Sequence, residues 1–127
     1  MAKEYTQRLS KEKRERLFNY INTEVVVRQG FLRQGFSINE IAKKYNVHSQ
    51  DLSAVVSYYF NENFSQLLQR FRVNKVCEKL RHKSQANVSC EIIGLRCGFS
   101  NRQSLYNAFR RIMGMSPSEY RNQQLSK

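Results

Sequence analysis

Helix-breaking residues are scarce in this sequence, which has one proline (Pro117) and five glycines among 127 residues. Proline and glycine are the residues that a helix interior tolerates least. Apolar residues recur at intervals of three and four, and the strict alternation of a half-buried strand is nowhere sustained. The sequence therefore predicts an all-α fold.

A helix, a short turn and a second helix occur in the same order at two places. In the earlier copy, Ser37 begins a capping box and Asn46 can adopt the left-handed conformation of a tight turn before the second helix starts. In the later copy, Ser89 opens a helix, Gly98 supplies the turn and Asn101 opens the next helix. This order is typical of a helix-turn-helix, whose second helix can enter the major groove of DNA.

A long apolar stripe separates the two copies. It runs from Phe64 to Arg81, which as an α-helix would span about 27 Å and could act as a rigid spacer. Near the end of the chain, Ser116, Pro117 and Glu119 mark the start of a last helix. The predicted organisation is a basic flexible tail at 1–10, a first helix-turn-helix subdomain at 11–62, a linker helix at 63–82 and a second helix-turn-helix subdomain at 83–127.

The chain is strongly basic, with 22 Lys and Arg against 10 Asp and Glu and a formal net charge of +12. Such an excess favours an anionic partner, although charge by itself does not separate DNA, RNA and a membrane surface. No stretch approaches the roughly 18 apolar residues of a membrane span, and the first residues lack the apolar core of a signal peptide. We therefore expect a cytoplasmic protein with no membrane partner.

Residues for catalysis or metal binding are not assembled in the sequence. Cys77, Cys90 and Cys97 are odd in number, lack Cys-x-x-Cys spacing and fall on apolar helical positions, so we interpret them as reduced core residues. A metal site with His48 or His82 would contain only one short ligand interval. There is no glycine-rich phosphate loop and no nucleophile with its base. We expect no enzyme activity, no metal and no cofactor.

The second helix of the later unit has one polar face, opposite Leu105 and Phe109. Arginine can pair bidentately with guanine, and asparagine or glutamine with adenine, each good pair discriminating by about 1–3 kcal/mol. An ordinary solvated helix face is the competing interpretation for any one of these residues. Base reading is assigned here to Arg102, Gln103, Tyr106 and Asn107.

The first unit offers a weaker set in the equivalent helix. Gln50, Ser53 and Ala54 are assigned to bases, and Ala54 could offer only a methyl contact. Asp51 would repel phosphate, so readout by this unit is expected to depend on DNA shape or on few bases. Phosphate contacts are assigned to hydroxyls and cations, some of which can instead be solvated or salt-bridged within the protein. These residues are Ser49, Arg72, Lys75, Ser100, Arg110, Arg111 and Arg121.

From about Leu17 to Arg121, and most clearly from Ser89 onward, the chain resembles a known family, the DNA-binding domain of the AraC/XylS transcription regulators. From Ser89 to Arg121 it reads SCEIIGLRCGFSNRQSLYNAFRRIMGMSPSEYR. The resemblance implies about seven helices, with two helix-turn-helix subdomains joined by a long central helix, and bipartite DNA sites beside promoters. Gly94 departs from the alanine that is usual in the family. The residues that carry the resemblance are Ile93, Gly98, Phe99, Phe109, Gly114, Pro117, Tyr120 and Arg121.

The resemblance also implies partners for the chain. Members bind double-stranded DNA and contact RNA polymerase, and many carry a separate sensor or effector domain, for which the 36 residues before the first unit are too few. We therefore expect a small stand-alone regulator or an excised output domain, in the bacterial cytoplasm at the nucleoid. The alternative is a nonspecific DNA-architectural or RNA-binding protein. The polar face around Asn107 argues against that alternative, as does the lack of aromatics arranged to stack on single strands.

Overall fold

The computed structural model of this protein describes residues 9–127, and within that range it contains seven α-helices and no strand. The predicted all-α fold is confirmed. Residues 1–8 of the predicted basic tail lie outside the described residues. No helix in the described part is both long and apolar enough to cross a membrane. The helices are α1 (Lys11–Asn22), α2 (Ile38–Tyr45), α3 (Ser49–Phe60), α4 (Phe64–Leu80), α5 (Cys90–Arg96), α6 (Arg102–Met113) and α7 (Pro117–Leu125).

The helix ends follow local signals in the sequence. Asn46 and Asn61 adopt left-handed backbone conformations where α2 and α3 end, with φ of 54° and 55°. The predicted capping box at the start of α7 is present, with Ser116 Oγ accepting from the Glu119 amide at 3.1 Å. The capping box predicted at Ser37 is wrong: Ser37 precedes α2, but its side chain makes no capping hydrogen bond. Its carbonyl oxygen accepts from the Glu40 amide at 3.2 Å in a main-chain turn instead.

Two compact units make up the chain. The first comprises the described residues up to Gly30 together with Phe36–Leu68, and includes α1, its π-helical continuation Thr23–Val27, α2 and α3. Apolar side chains of these helices meet in one core, because each helix presents a stripe at helical spacing. The fully buried members are Leu17, Ile21, Val25, Ile41, Leu52, Val55 and Val56.

The buried carboxylate of Glu24 binds two side chains at the end of α2 within the first unit. Glu24 accepts hydrogen bonds from Lys44 Nζ at 3.0 Å and from Tyr45 Oη at 2.7 Å, and Arg28 lies 3.8 Å away. Burial alone would raise the pKa of Glu24, but the hydrogen bonds from Tyr45 and Lys44 and the nearby cations outweigh burial, so the pKa lies below its ordinary value. The paired charge therefore links α2, the first helix of this helix-turn-helix, to the π-helical segment Thr23–Val27 that follows α1.

The second unit comprises Phe31–Gly35 and Gln69–Lys127, so that α4 contributes its first residues to one unit and the rest to the other. Gly94 of α5 packs against Leu105 of α6: a Cβ on Gly94 would lie 2.6 Å from Leu105 Cδ2, so glycine makes room for the leucine. The three cysteines are buried and unbridged, and burial raises the pKa of Cys97 to about 11. The core of this unit is formed by Val73, Val76, Cys77, Leu80, Cys90, Ile93, Cys97, Phe99, Leu105, Ala108, Phe109 and Tyr120.

A segment that is early in the chain completes this second unit. The sequence boundaries assign residues 31–35 to the first subdomain, whereas the structure packs them with α4 and α5. Arg72 donates from Nε to the Phe31 carbonyl at 2.6 Å and from Nη2 to the Arg33 carbonyl at 3.1 Å. The Phe31 and Phe71 rings lie 5.6 Å apart between centroids. Arg72 thus links α4 to this segment through two hydrogen bonds.

Candidate nucleic-acid interface

Helix α6 has one buried and one exposed face. Its first turn is capped by Asn101, whose Oδ1 accepts from the Ser104 amide at 2.8 Å, and Leu105 and Phe109 are fully buried. The predicted base-reading residues are on the other side, where three are exposed and one is half-buried. In α6 the structure therefore brings all four together on one outward face: Arg102, Gln103, Tyr106 and Asn107.

A concave groove of about 410 Å³ lies beside this face. It brings together Ser100 and Arg111, predicted for phosphate, with Asn107, predicted for a base. Ser104 and Gln69 also line it and were missed from the sequence. Helical spacing could have found Ser104, which is three residues before Asn107. Nothing in the sequence indicates Gln69, which lies on α4 and accepts a hydrogen bond from Arg111 Nη2.

The corresponding helix of the first unit, α3, exposes fewer of its predicted residues. Gln50 and Ser53 are exposed. Ala54 is buried, so the predicted methyl contact is wrong for this conformation: α3 buries a face wide enough to include it. Asp51 is also buried, with Oδ2 3.3 Å from Lys13 Nζ, so its charge is offset within the unit and is not presented to phosphate.

A second concavity, of about 530 Å³, is formed by the turn of the first helix-turn-helix. Ser49, the first residue of α3, lies in it half-buried, and its contact with backbone phosphate stays a prediction. Lys43 supplies a cation that the sequence assignment omitted. The full lining is Ser37, Asn39, Glu40, Ala42, Lys43, Asn46, Val47, His48 and Ser49.

The predicted phosphate residues of the second unit fall into two groups. Ser100, Arg110 and Arg111 are exposed beside or on α6. The cations Lys75 and Arg121 are engaged within the protein: Lys75 Nζ is 3.4 Å from Glu78 Oε2, and Arg121 Nη1 donates to the Val88 carbonyl.

Arg72 has a role within the protein besides the phosphate contact predicted for it, which stays a prediction. Two of its nitrogens are committed to main-chain carbonyls, and burial lowers the pKa of its guanidinium. These bonds use two of the five N–H donors of the guanidinium, and the side chain also lines the groove that contains Ser100 and Arg111. Its place in the structure is that of a residue that holds segment 31–35, and the sequence could not show this because its partners lie about 40 residues away.

The described residues do not contain a group of three or more His, Cys, Asp or Glu side chains placed to hold a metal ion. What they contain is two helix-turn-helix units, each exposing polar side chains near the start of its second helix. These features are those of a helix-turn-helix DNA-binding domain. Residues 41–123 match the model of a family described as a helix-turn-helix domain. The chain belongs to this family, and the predicted AraC-type membership is confirmed.

Proteins similar to this chain include two curated regulators. The HTH-type transcriptional regulator ArgR of Pseudomonas aeruginosa is 29% identical over 99 residues, which are 78% of this chain and 29% of that protein. The HTH-type transcriptional activator RhaR of Mannheimia succiniciproducens is 23% identical over 115 residues, 91% of this chain and 38% of that protein. The chain therefore spans about a third of the length of these relatives.

A solved structure is similar over most of both chains. The C-terminal domain of AraT, a response regulator from Geobacillus stearothermophilus, has a TM-score of 0.70 and 26% identity over 91% of this chain and 88% of that one. A transcriptional regulator from Chromobacterium violaceum, described as containing an AraC-type DNA-binding domain, has the same TM-score at 23% identity, over 84% and 92%. The second likeness supports the fold alone.

Proposed function

We propose that the chain reads a bipartite DNA site, with α3 and α6 each placed in a major groove of the same duplex. The observation that carries this proposal is the exposed polar face of α6, which stands opposite the fully buried Leu105 and Phe109. That face carries the amides of Gln103 and Asn107 among its cations, whereas a protein that used only charge would need cations alone. Unlike residues on α3 and α6 imply two unlike half-sites.

Direct readout in this proposal is concentrated in α6. Arg102, Gln103 and Asn107 carry the donors and acceptors that match guanine or adenine edges. Gln50 and Ser53 make a smaller contribution from α3, because Ala54 and Asp51 are turned into the core. Phosphate contacts are assigned to the exposed or groove-lining residues Ser49, Ser100, Arg110 and Arg111.

Selection from a randomised duplex pool at near-physiological salt tests the proposal, because nonspecific attraction is weakened there. The expected result is enrichment of two short, unlike boxes separated by about one helical turn, roughly 34 Å along the DNA. Retention of DNA without enrichment of any sequence would instead support the nonspecific DNA-architectural alternative. A single enriched box would contradict the bipartite arrangement.

Base contacts and phosphate contacts are separated by two variants of the same helix. Asn107→Ala is expected to relax the preference at one base pair of the enriched site, by about 1–3 kcal/mol. Arg110→Ala, three residues further along α6, is expected to weaken binding to all sequences alike. Competition binding with every single-base change in the site measures both. Equal loss on every sequence for Asn107→Ala would remove Asn107 from the base-reading set.

Two further partners are proposed for the chain, whose relatives are named as a transcriptional regulator and a transcriptional activator. We include contact with RNA polymerase at promoters, and a sensor or effector domain, in the proposed function. A cytoplasmic place at the nucleoid follows, since that is where promoters are. Transcription in vitro from a promoter that carries the selected boxes would rise or fall on addition of the chain, and no change would contradict the polymerase contact.

A further inference from the structure

The side chain of Arg102 lies over an aromatic ring of its own helix. Its guanidinium carbon is 4.6 Å from the centroid of Tyr106, which is one turn further along α6. This distance is within the range of a cation–π contact. A guanidinium is planar and carries its five N–H donors in that plane, so contact with a ring uses one face and leaves the donor edge available.

The Tyr106 ring is itself held by the rest of the second unit. It is half-buried and packs against the core cluster that contains Leu105 and Phe109. Its hydroxyl lies 3.4 Å from Ser118 Oγ in the first turn of α7. The same Ser118 oxygen lies 3.9 Å from Cys90 Sγ at the start of α5. The ring is thus fixed by packing below and by a hydroxyl contact at its tip.

We propose that Tyr106 is a positioning residue, which holds the Arg102 guanidinium ready to donate two hydrogen bonds to one guanine, and is not itself a base reader. This inference rests on the proposed function and changes the role predicted for Tyr106 from the sequence. An exposed arginine side chain loses rotamer freedom when it binds a base. A side chain that already contacts a ring has lost part of that freedom beforehand, so its binding costs less conformational entropy. The expected consequence is a stronger preference for guanine at the base pair that Arg102 meets.

Two substitutions of Tyr106 separate its ring from its hydroxyl. Tyr106→Leu removes the aromatic face, and we expect it to reduce the preference at the Arg102 base pair roughly 2- to 5-fold, the range of an exposed cation–π contact. Tyr106→Phe keeps the face and is expected to retain the preference within about 2-fold, because the guanidinium contacts the ring and not the oxygen. Tyr106→Met is run beside the leucine variant, so that the result does not depend on the folding of one protein.

Arg102→Ala and the double variant Arg102→Ala/Tyr106→Leu complete a cycle, measured by competition binding with each base at each position of the selected site. We expect Arg102→Ala to abolish the preference at one base pair, and Tyr106→Leu to have no further effect there once Arg102 is absent. Tyr106→Leu acting on a different base pair, or adding to Arg102→Ala, would overturn the positioning role while leaving base reading by Arg102 intact. Unchanged base preference in Arg102→Ala would overturn both.

Discussion

A Gly98→Ala variant is expected to lose about 3–5 kcal/mol of folding free energy, and its Tm is expected to fall by roughly 10–20 °C. Gly98 has φ of +105°, a conformation that residues with a side chain rarely adopt. A Cβ at this position would lie 2.2 Å from the Phe31 carbonyl oxygen and 2.5 Å from Arg72 Nε. The carbonyl belongs to the main chain, so it cannot move aside as a flexible side chain would. Thermal and urea unfolding followed by circular dichroism measure the loss.

Gly114→Ala provides the matched control for this variant. Gly114 also has a positive φ, +74°, but a Cβ there would have no neighbour within 4 Å. Its cost is therefore backbone strain alone, about 1–2 kcal/mol. A Gly98→Ala variant no less stable than Gly114→Ala would show that segment 31–35 is not seated against Gly98.

The helix boundaries could be predicted from the sequence because each depends on a few neighbouring residues. Ser116 and Glu119 are three residues apart, and the bonds that they make are with each other. Asn46 ends α2 through its own backbone conformation. The buried face of α6 was equally accessible to prediction, since Leu105 and Phe109 follow the helical period and are fully buried. The four polar residues opposite them were therefore correctly predicted to share one outward face.

The α3 face was predicted less well because α3 was treated as equivalent to α6. The two helices bury different widths of surface: α3 buries Asp51 and Ala54 in addition to its apolar stripe. A buried aspartate is not expected from the sequence unless its partner is known, and Lys13 is 38 residues earlier in the chain. Sequence reasoning finds contacts within one helix and misses those that join distant segments. The bond between Gln69 and Arg111 across 42 residues was missed for the same reason.

The Arg72→Ala variant is expected to show the second large loss of stability. Arg72→Ala removes hydrogen bonds from a charged donor to the carbonyls of Phe31 and Arg33, at 2.6 and 3.1 Å, and leaves the buried end of segment 31–35 without them. We expect a loss of about 2–4 kcal/mol of folding free energy. Arg72→Lys is expected to recover little of it, because one ammonium group does not reproduce the fork that reaches both carbonyls. Unfolding in the absence of DNA measures both variants.

The salt dependence of DNA binding separates this structural role from the phosphate contact predicted from the sequence. Each phosphate contact contributes about 0.9 to the slope of log K against log salt concentration. Arg72→Ala is expected to keep the wild-type slope at a temperature where it is folded. Arg110 is on the exposed face of α6. Arg110→Ala is expected to keep the wild-type Tm and to reduce the magnitude of the slope by about 0.9, the contribution of one phosphate contact. The opposite pattern, a stable Arg72→Ala protein with a reduced slope, would show that Arg72 contacts a phosphate of the DNA.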